Sequence, residues 1–381
     1  MPVSAPDYAG ASLPNLVAEL EDRLAGSAVA PRLTSDLAGA IPAAASYLVV
    51  LFDGLGSGQL GHPAAATLRA RHVASLDAPI PTTTTVSLAT IATGQPPAQH
   101  GLIGYQLYLP DLDRVVNTIK WTDLSGRRVD YDTEAMLPAP NLWERLSAAG
   151  VEPITVQPAQ FANSALTRLL YRGCRFEGVE TLDELVVASL QLATTPGRLV
   201  FTYLPQLDYA AHVHGQHHSE YDAAMTLIDT AWSMLCSRLP REVTMVGTAD
   251  HGHADVPQDR QHRIAEADHA DRVFYGDSRI MYVRGEVASL ADRLSVDWWG
   301  LDRLRPLWGP GPDHPELAER APDGALVAGP GTILLHRRSD DRLVGHHGGL
   351  SDAERRIPLL VATRDNEVRR RRPGARAALL W

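Results

Sequence analysis

The sequence predicts an α/β fold with a mainly parallel central sheet and helices on both faces. The prediction rests on the length of 381 residues, on short apolar runs of β type, and on amphipathic stretches between them. A chain this long can bury a substantial core as one large domain or two smaller ones. Strand-like runs alternating with helix-like ones are the signature of a parallel sheet whose crossovers cover it.

The first candidate strand, Tyr47–Phe52, is an apolar run that ends in Asp53-Gly54. Pro81 to Gly94 reads as a turn followed by a helix that glycine terminates. A threonine at such a helix start has free backbone N–H groups beside it, a natural place for an anion. Asn141 to Gly150 reads as a helix, opened by a good cap residue and closed by glycine. Glu152–Val156 and Leu199–Leu204 are the next candidate strands, the second running on to Asp208. Ser219–Leu239 carries Ala223, Met225, Leu227, Ile228, Trp232 and Leu235 near helical spacing. Val243–Thr248 is followed by Asp250-His251-Gly252, and Ile357–Val361 is the last strand.

Two stretches break the alternation, 105–140 and 256–345. Both are rich in Asp, Arg, Pro and Gly, with only short apolar pieces such as Ser278–Val283. They read as insertions that form a small cap over the sheet edge, where substrate selectivity often lives.

Composition narrows the function. A formal charge of -10 argues against a binder that neutralises a nucleic-acid backbone. Lys120 is the only lysine, and Cys174 and Cys236 are the only cysteines. Two cysteines make no disulfide framework, which favours a reducing compartment. Met1-Pro-Val-Ser lacks the basic start and apolar core of a signal peptide. The run from Leu37 to Phe52 contains Pro42 and is shorter than the ~20 residues a spanning helix needs. The expectation is a cytoplasmic protein without a membrane or nucleic-acid polymer as partner. Arg369 to Arg372 read as a solvated basic tail.

Asp53, Asp208 and Asp250 all follow apolar β-type runs. Open α/β sheets bind ligands outside the carboxyl ends of their strands, so these three side chains can converge. Convergent carboxylates repel unless something positive lies between them, and no lysine or arginine is adjacent in these segments. A divalent metal answers that need. A bare threonine hydroxyl is a poor nucleophile, but coordination to a metal lowers its pKa and makes an alkoxide accessible.

These residues resemble the alkaline phosphatase superfamily, in its nucleotide pyrophosphatase/phosphodiesterase branch. The nucleophile pattern is matched by Pro81-Thr82-Thr83-Thr84, then Thr93-Gly94, then His100-Gly101. Spacing back from Thr93-Gly94 puts the nucleophile at Thr84, with Thr83 and Thr85 as the neighbouring registers. Asp53-Gly54, then Asp208 with His212, then Asp250-His251-Gly252 follow in the family's order. The late Gly-x-His-Gly is resembled by Gly345-His346-His347-Gly348-Gly349, with His347 as the ligand. The resemblance implies one alkaline-phosphatase-like catalytic domain over 1–381 and two divalent metals. One metal takes Asp208, His212 and His347; the other takes Asp53, Asp250, His251 and Thr84. Imidazole with carboxylate suits zinc, and manganese is the alternative because the set contains no thiolate.

The implied reaction is hydrolysis of a small phosphate ester, a phosphodiester or nucleotide pyrophosphate, through a phospho-threonine on Thr84. Where many phosphodiesterases of this branch place an asparagine that donates to a phosphoryl oxygen, this chain has Tyr105. A phenol can take that role or simply line the pocket. Lys120 is a second candidate for substrate contact. Phosphomonoester and phosphonate hydrolysis use the same scaffold and stay open, as does a catalytically inactive metal-binding protein. A sulfatase is disfavoured because no Cys/Ser-x-Pro-x-Arg pattern surrounds Thr84. His214, His217, His218, His253 and His100 read as solvated or outer-sphere side chains. Nothing in the sequence sets the oligomeric state.

Overall fold

The computed structural model describes residues 4–364 apart from 134, 135, 286 and 338. The basic run Arg369–Arg372 lies outside them. Seven strands form the main sheet: β1 Ser46–Phe52, β2 His72–Asp77, β3 Glu152–Pro158, β4 Arg175–Val179, β5 Arg198–Leu204, β6 Val243–Thr248 and β7 Arg356–Ala362. Their order across the sheet is β2-β7-β6-β1-β5-β3-β4. The block β6-β1-β5-β3-β4 is parallel, and β7 runs antiparallel to both β6 and β2.

The central strands are continuous apolar runs because both of their faces are covered. Every residue of β1 and β6 is buried. Val49, Leu199 and Phe201 face Leu13, Leu16, Ile91 and Leu142 from three helices on one side. On the other side Phe52 meets Trp232 edge-on at 5.8 Å, which seats the helix Ser219–Arg238. The helix Leu142–Ala148 begins as its sequence indicates: Asn141 and Glu144 form a reciprocal capping box.

Strands from the two interrupting stretches pair in a second, antiparallel sheet. Its order is 297–300, 324–327, 280–284, 273–276, 106–109, 114–117 and 122–123. The two stretches join where Gly276 pairs with Gln106. Among the described residues, no helix is long and apolar enough to cross a membrane.

Candidate metal centre and active site

Three neighbouring strands, β6, β1 and β5, deliver carboxylates to the same end of the sheet. Asp53 follows β1 directly, and Asp250 follows β6 by one intervening residue. The third arrives differently from the sequence reading. Strand β5 stops at Leu204, Pro205 breaks it, and Asp208 sits in the first turn of the helix Gln206–His214. One helical turn further on, His212 projects from the same face as Asp208. Gly54 keeps the crowded junction open: its φ is +78°, and a Cβ there would lie 2.9 Å from His253 Cδ2 and 3.0 Å from Asp208 Cα.

Thr84 opens the helix Thr84–Thr93, after an extended Thr83, and Gly94 ends the helix in the left-handed region. Ser87 donates to the Asp250 carbonyl at 2.8 Å, tying the first turn to the Asp-His-Gly segment. The Thr84 Oγ1 lies 3.1 Å from His251 Nε2. That nitrogen in turn lies 3.6 Å from Asp53 Oδ1 and 3.5 Å from Asp250 Oδ2.

Three imidazoles are set by backbone carbonyls. The Nδ1 of His212 lies 2.7 Å from Gly345 O, that of His251 lies 3.1 Å from Gly252 O, and that of His347 lies 3.0 Å from Thr82 O. A carbonyl only accepts, so Nδ1 carries the proton in each ring and Nε2 presents its lone pair. All three Nε2 atoms turn to the cluster: His212 and His347 bring theirs within 3.1 Å of each other. Asp208 Oδ1 is 3.5 Å from the first and 3.9 Å from the second.

The donor set fits a cation. Asp250 Oδ1 accepts the backbone N–H groups of Gly54 and His251 at 3.1 and 3.0 Å, and Asp53 Oδ2 accepts the Tyr203 hydroxyl. The remaining oxygens, Asp53 Oδ1 and Asp250 Oδ2, are buried with no hydrogen-bond partner among the described residues. Buried carboxylate oxygens are costly in that state unless a charge compensates them. Among the described residues, two groups of side chains are close enough to hold an ion, Asp208 with His212, His253 and His347, and Asp53 with Asp208 and His251. Within each group the ligand atoms lie within 4.8 Å of one another.

The electrostatics show the same demand. Burial, then the Asp208 and Asp250 carboxylates, push the Asp53 carboxyl well above its usual range. Burial acts to raise Asp208 as well, yet His212, His253 and His347 hold it well below the usual value. Burial and the neighbouring rings of His251, His212 and His253 push the His347 imidazole far down, into the neutral form a metal requires.

The structure thus gathers Asp53, Thr84, Asp208, His212, Asp250, His251 and His347 in one cluster. Tyr105 and Lys120 do not hydrogen-bond to it. The Tyr105 hydroxyl accepts the Asn117 amide at 2.5 Å, and its backbone N–H donates to Asp277 at 3.3 Å. Lys120 is exposed, with its backbone N–H on Asn117 Oδ1. His100 is satisfied within the fold by Thr90 and the Leu102 amide. His214 and His218 stack on each other at 4.9 Å. His346 Nε2 faces the Leu343 carbonyl.

Four residues around the cluster escaped the sequence reading or were undervalued by it. Tyr203 holds Asp53, and its only signal is an inward position in β5. Thr82 clamps the His347 loop: its carbonyl accepts the Gly348 amide at 2.8 Å, and its hydroxyl donates to Gly349 O at 2.9 Å. Asp277, in the second interrupting stretch, packs against Gly348, whose φ is +101° and whose Cβ would lie 2.6 Å from Asp277 Cβ. His253 lies inside the cluster, 2.7 Å from Asp208.

A family model described as type I phosphodiesterase / nucleotide pyrophosphatase matches residues 47–350. No curated protein matches the chain. Among solved structures, the chain resembles murine ectonucleotide pyrophosphatase/phosphodiesterase 5 at 19% identity and a TM-score of 0.63. That alignment covers 83% of this chain and 88% of the other. Human ectonucleotide pyrophosphatase/phosphodiesterase 5 gives 17% identity and a TM-score of 0.64, over 83% and 87%. Phosphonoacetate hydrolase from Sinorhizobium meliloti 1021 gives 19% and 0.61, over 85% and 91%, in a complex with phosphonoacetate. An inactive form of the murine protein holds AMP. At these identities the structural likenesses establish the shared α/β fold.

Proposed function

Because the chain belongs to the type I phosphodiesterase / nucleotide pyrophosphatase family of phosphoester hydrolases, we propose that it cleaves phosphodiester or nucleotide pyrophosphate bonds in a small substrate through a phospho-threonine on Thr84. The observation that carries the reading is the 3.1 Å approach of Thr84 Oγ1 to His251 Nε2, beside two unpartnered carboxylate oxygens. Asp208, His212 and His347 would hold one divalent metal, and Asp53, Asp250, His251 and Thr84 the other. Zinc is the first choice for the imidazole-rich set, with manganese second. Divalent cations held there would lower the pKa of the threonine hydroxyl and supply positive charge to the reacting phosphoryl group.

The protein supplies placement. The helix start points Thr84 Oγ1 into the cluster, where it forms a bond to phosphorus as the bond to the alcohol or nucleotide breaks. Water then cleaves the phospho-threonine and restores the hydroxyl. The rigid carbonyl contacts of His212, His251 and His347 fix the ligand directions before substrate arrives, so little reorganisation is needed. The second sheet would act as the cap over this site. Cys174 and Cys236 form no disulfide among the described residues, and a chain with only two cysteines suits a reducing, cytoplasmic setting.

A second reading, phosphonate or phosphomonoester hydrolysis on the same site, is favoured by one observation. Tyr105 stands where an asparagine donor to a phosphoryl oxygen is expected. Rates measured in parallel on bis-p-nitrophenyl phosphate, p-nitrophenyl phosphate and a phosphonate monoester decide between them. The diester should turn over fastest. A faster monoester or phosphonate reverses the preference, and metal-loaded protein inert to all three and to nucleotide pyrophosphates defeats the reading of this chain as a hydrolase.

A further inference from the structure

Four imidazole nitrogens surround the Asp208 side of the cluster, and one of them differs from the rest. His212, His251 and His347 give Nδ1 to a backbone carbonyl and present Nε2 to the centre. His253 does the reverse: its Nε2 meets Asp208 Oδ1 at 2.7 Å, and its Nδ1 is buried with no hydrogen-bond partner among the described residues. The carboxylate oxygen accepts, so Nε2 carries the proton and its lone pair is not offered to a metal. The spacing agrees. Ligand atoms about 2.0–2.1 Å from one ion at tetrahedral angles sit roughly 3.4 Å apart. The His212–His347, His212–Asp208 and His347–Asp208 separations of 3.1, 3.5 and 3.9 Å are near that value. The His253–Asp208 separation is a charge-assisted hydrogen bond instead.

We propose that His253 is a positioning residue of the metal centre: it locks the Asp208 carboxylate by hydrogen bond and leaves the Asp208–His212–His347 site three-coordinate to protein, with a position open for substrate or water. The assignment rests on the metal-centre reading above. Its packing supports it. His253 is 1% exposed, edge-on to His212 at 4.7 Å and to His347 at 5.2 Å, and its ring crowds Gly54 so closely that a Cβ there would clash. A ring held this way cannot swing to offer Nδ1 without displacing the strand end that bears Asp53.

The test uses full-length protein and zinc, with affinity read by competition against a chromophoric chelator, and cobalt(II) loading read by visible absorption. Wild type should take up two ions. His253→Leu should weaken one of them by about 10–100-fold and leave the other unchanged. His253→Gln, which can keep an N–H donor near Asp208, should retain affinity closer to wild type and an unaltered cobalt spectrum. Equal affinities in all three proteins overturn the positioning role. A cobalt spectrum that loses a nitrogen ligand in His253→Gln overturns it in favour of direct ligation. Wild type that takes up no metal overturns the metal-centre reading itself, and the inference with it.

Discussion

Thr84 and His251, separated by 167 positions in the chain, meet through Oγ1 and Nε2 at 3.1 Å. The contact places Thr84, the first residue of its helix, against the Asp-His-Gly segment, and it is held from both sides. Ser87 bonds to the Asp250 carbonyl, and the His251 Nδ1 is fixed on Gly252 O.

Thr84→Ala should therefore abolish turnover, by roughly 10⁴–10⁶-fold, because the attacking oxygen is gone. The variant should still bind two metals, since six protein ligands remain. Steady-state rates and metal content on the same preparation check both halves. Full activity in the variant sinks the nucleophile assignment.

Exhaustive chelation should inactivate the enzyme, and zinc should restore it better than magnesium. Three imidazoles stand among the candidate ligands, and magnesium prefers a near-octahedral shell of oxygens. Unchanged rates after chelation contradict a metal-dependent reaction.

The sequence was most informative where burial is complete. Strands β1, β5 and β6 read as apolar runs because helices cover both of their faces, and the aspartates after them stood out for that reason. The edge strand β2 was missed because its first two residues, His72 and Val73, are exposed and break the run. Strand β4, the other edge, mixes Arg175 and Glu177 with apolar neighbours for the same reason. The direction of β7 is set by its partners β6 and β2, which no local pattern reveals. Asp208 reads as a strand end in the sequence, although Pro205 carries the signal that the strand has stopped. Asp277 was invisible because its role depends on how the second sheet docks, and nothing around it in sequence is periodic.

Arg279 and Glu354 form a buried pair, 4% and 0% exposed, with Nε–Oε1 at 3.1 Å and the second nitrogen on Oε2 at 3.2 Å. Glu354 also accepts the Gly349 amide at 2.9 Å and the Ser351 hydroxyl at 2.6 Å, so it anchors the loop that follows His347. Arg279→Met should cost about 3–5 kcal/mol, because it strands a buried carboxylate. Urea unfolding of wild type and variant measures this. A loss below 1 kcal/mol would show that the pair is not the tie between the second sheet and the His347 loop.

Asp277 is a buried carboxyl, and burial pushes it up to about 7, against the pull of the Tyr105 amide and the Thr83 hydroxyl; the Glu354 carboxylate adds to the rise. Its folded value lies above its ordinary 3.8. The folded state therefore holds a proton that the unfolded chain releases between those two values. Stability from this group is fully present below pH 3.8, falls as pH rises, and is lost once pH passes about 7. Asp277→Asn removes the titration while keeping the size of the side chain. Relative to that variant, wild type should lose stability between pH 5 and pH 8, read as a difference in urea midpoints at the two pH values. The packing gives the effect a consequence at the site, because Asp277 lies against Gly348 and the Tyr105 amide, between the His347 loop and the second sheet. Parallel pH profiles for the two proteins would mean that Asp277 is ionised in the fold throughout, with a cation or a water chain beside it.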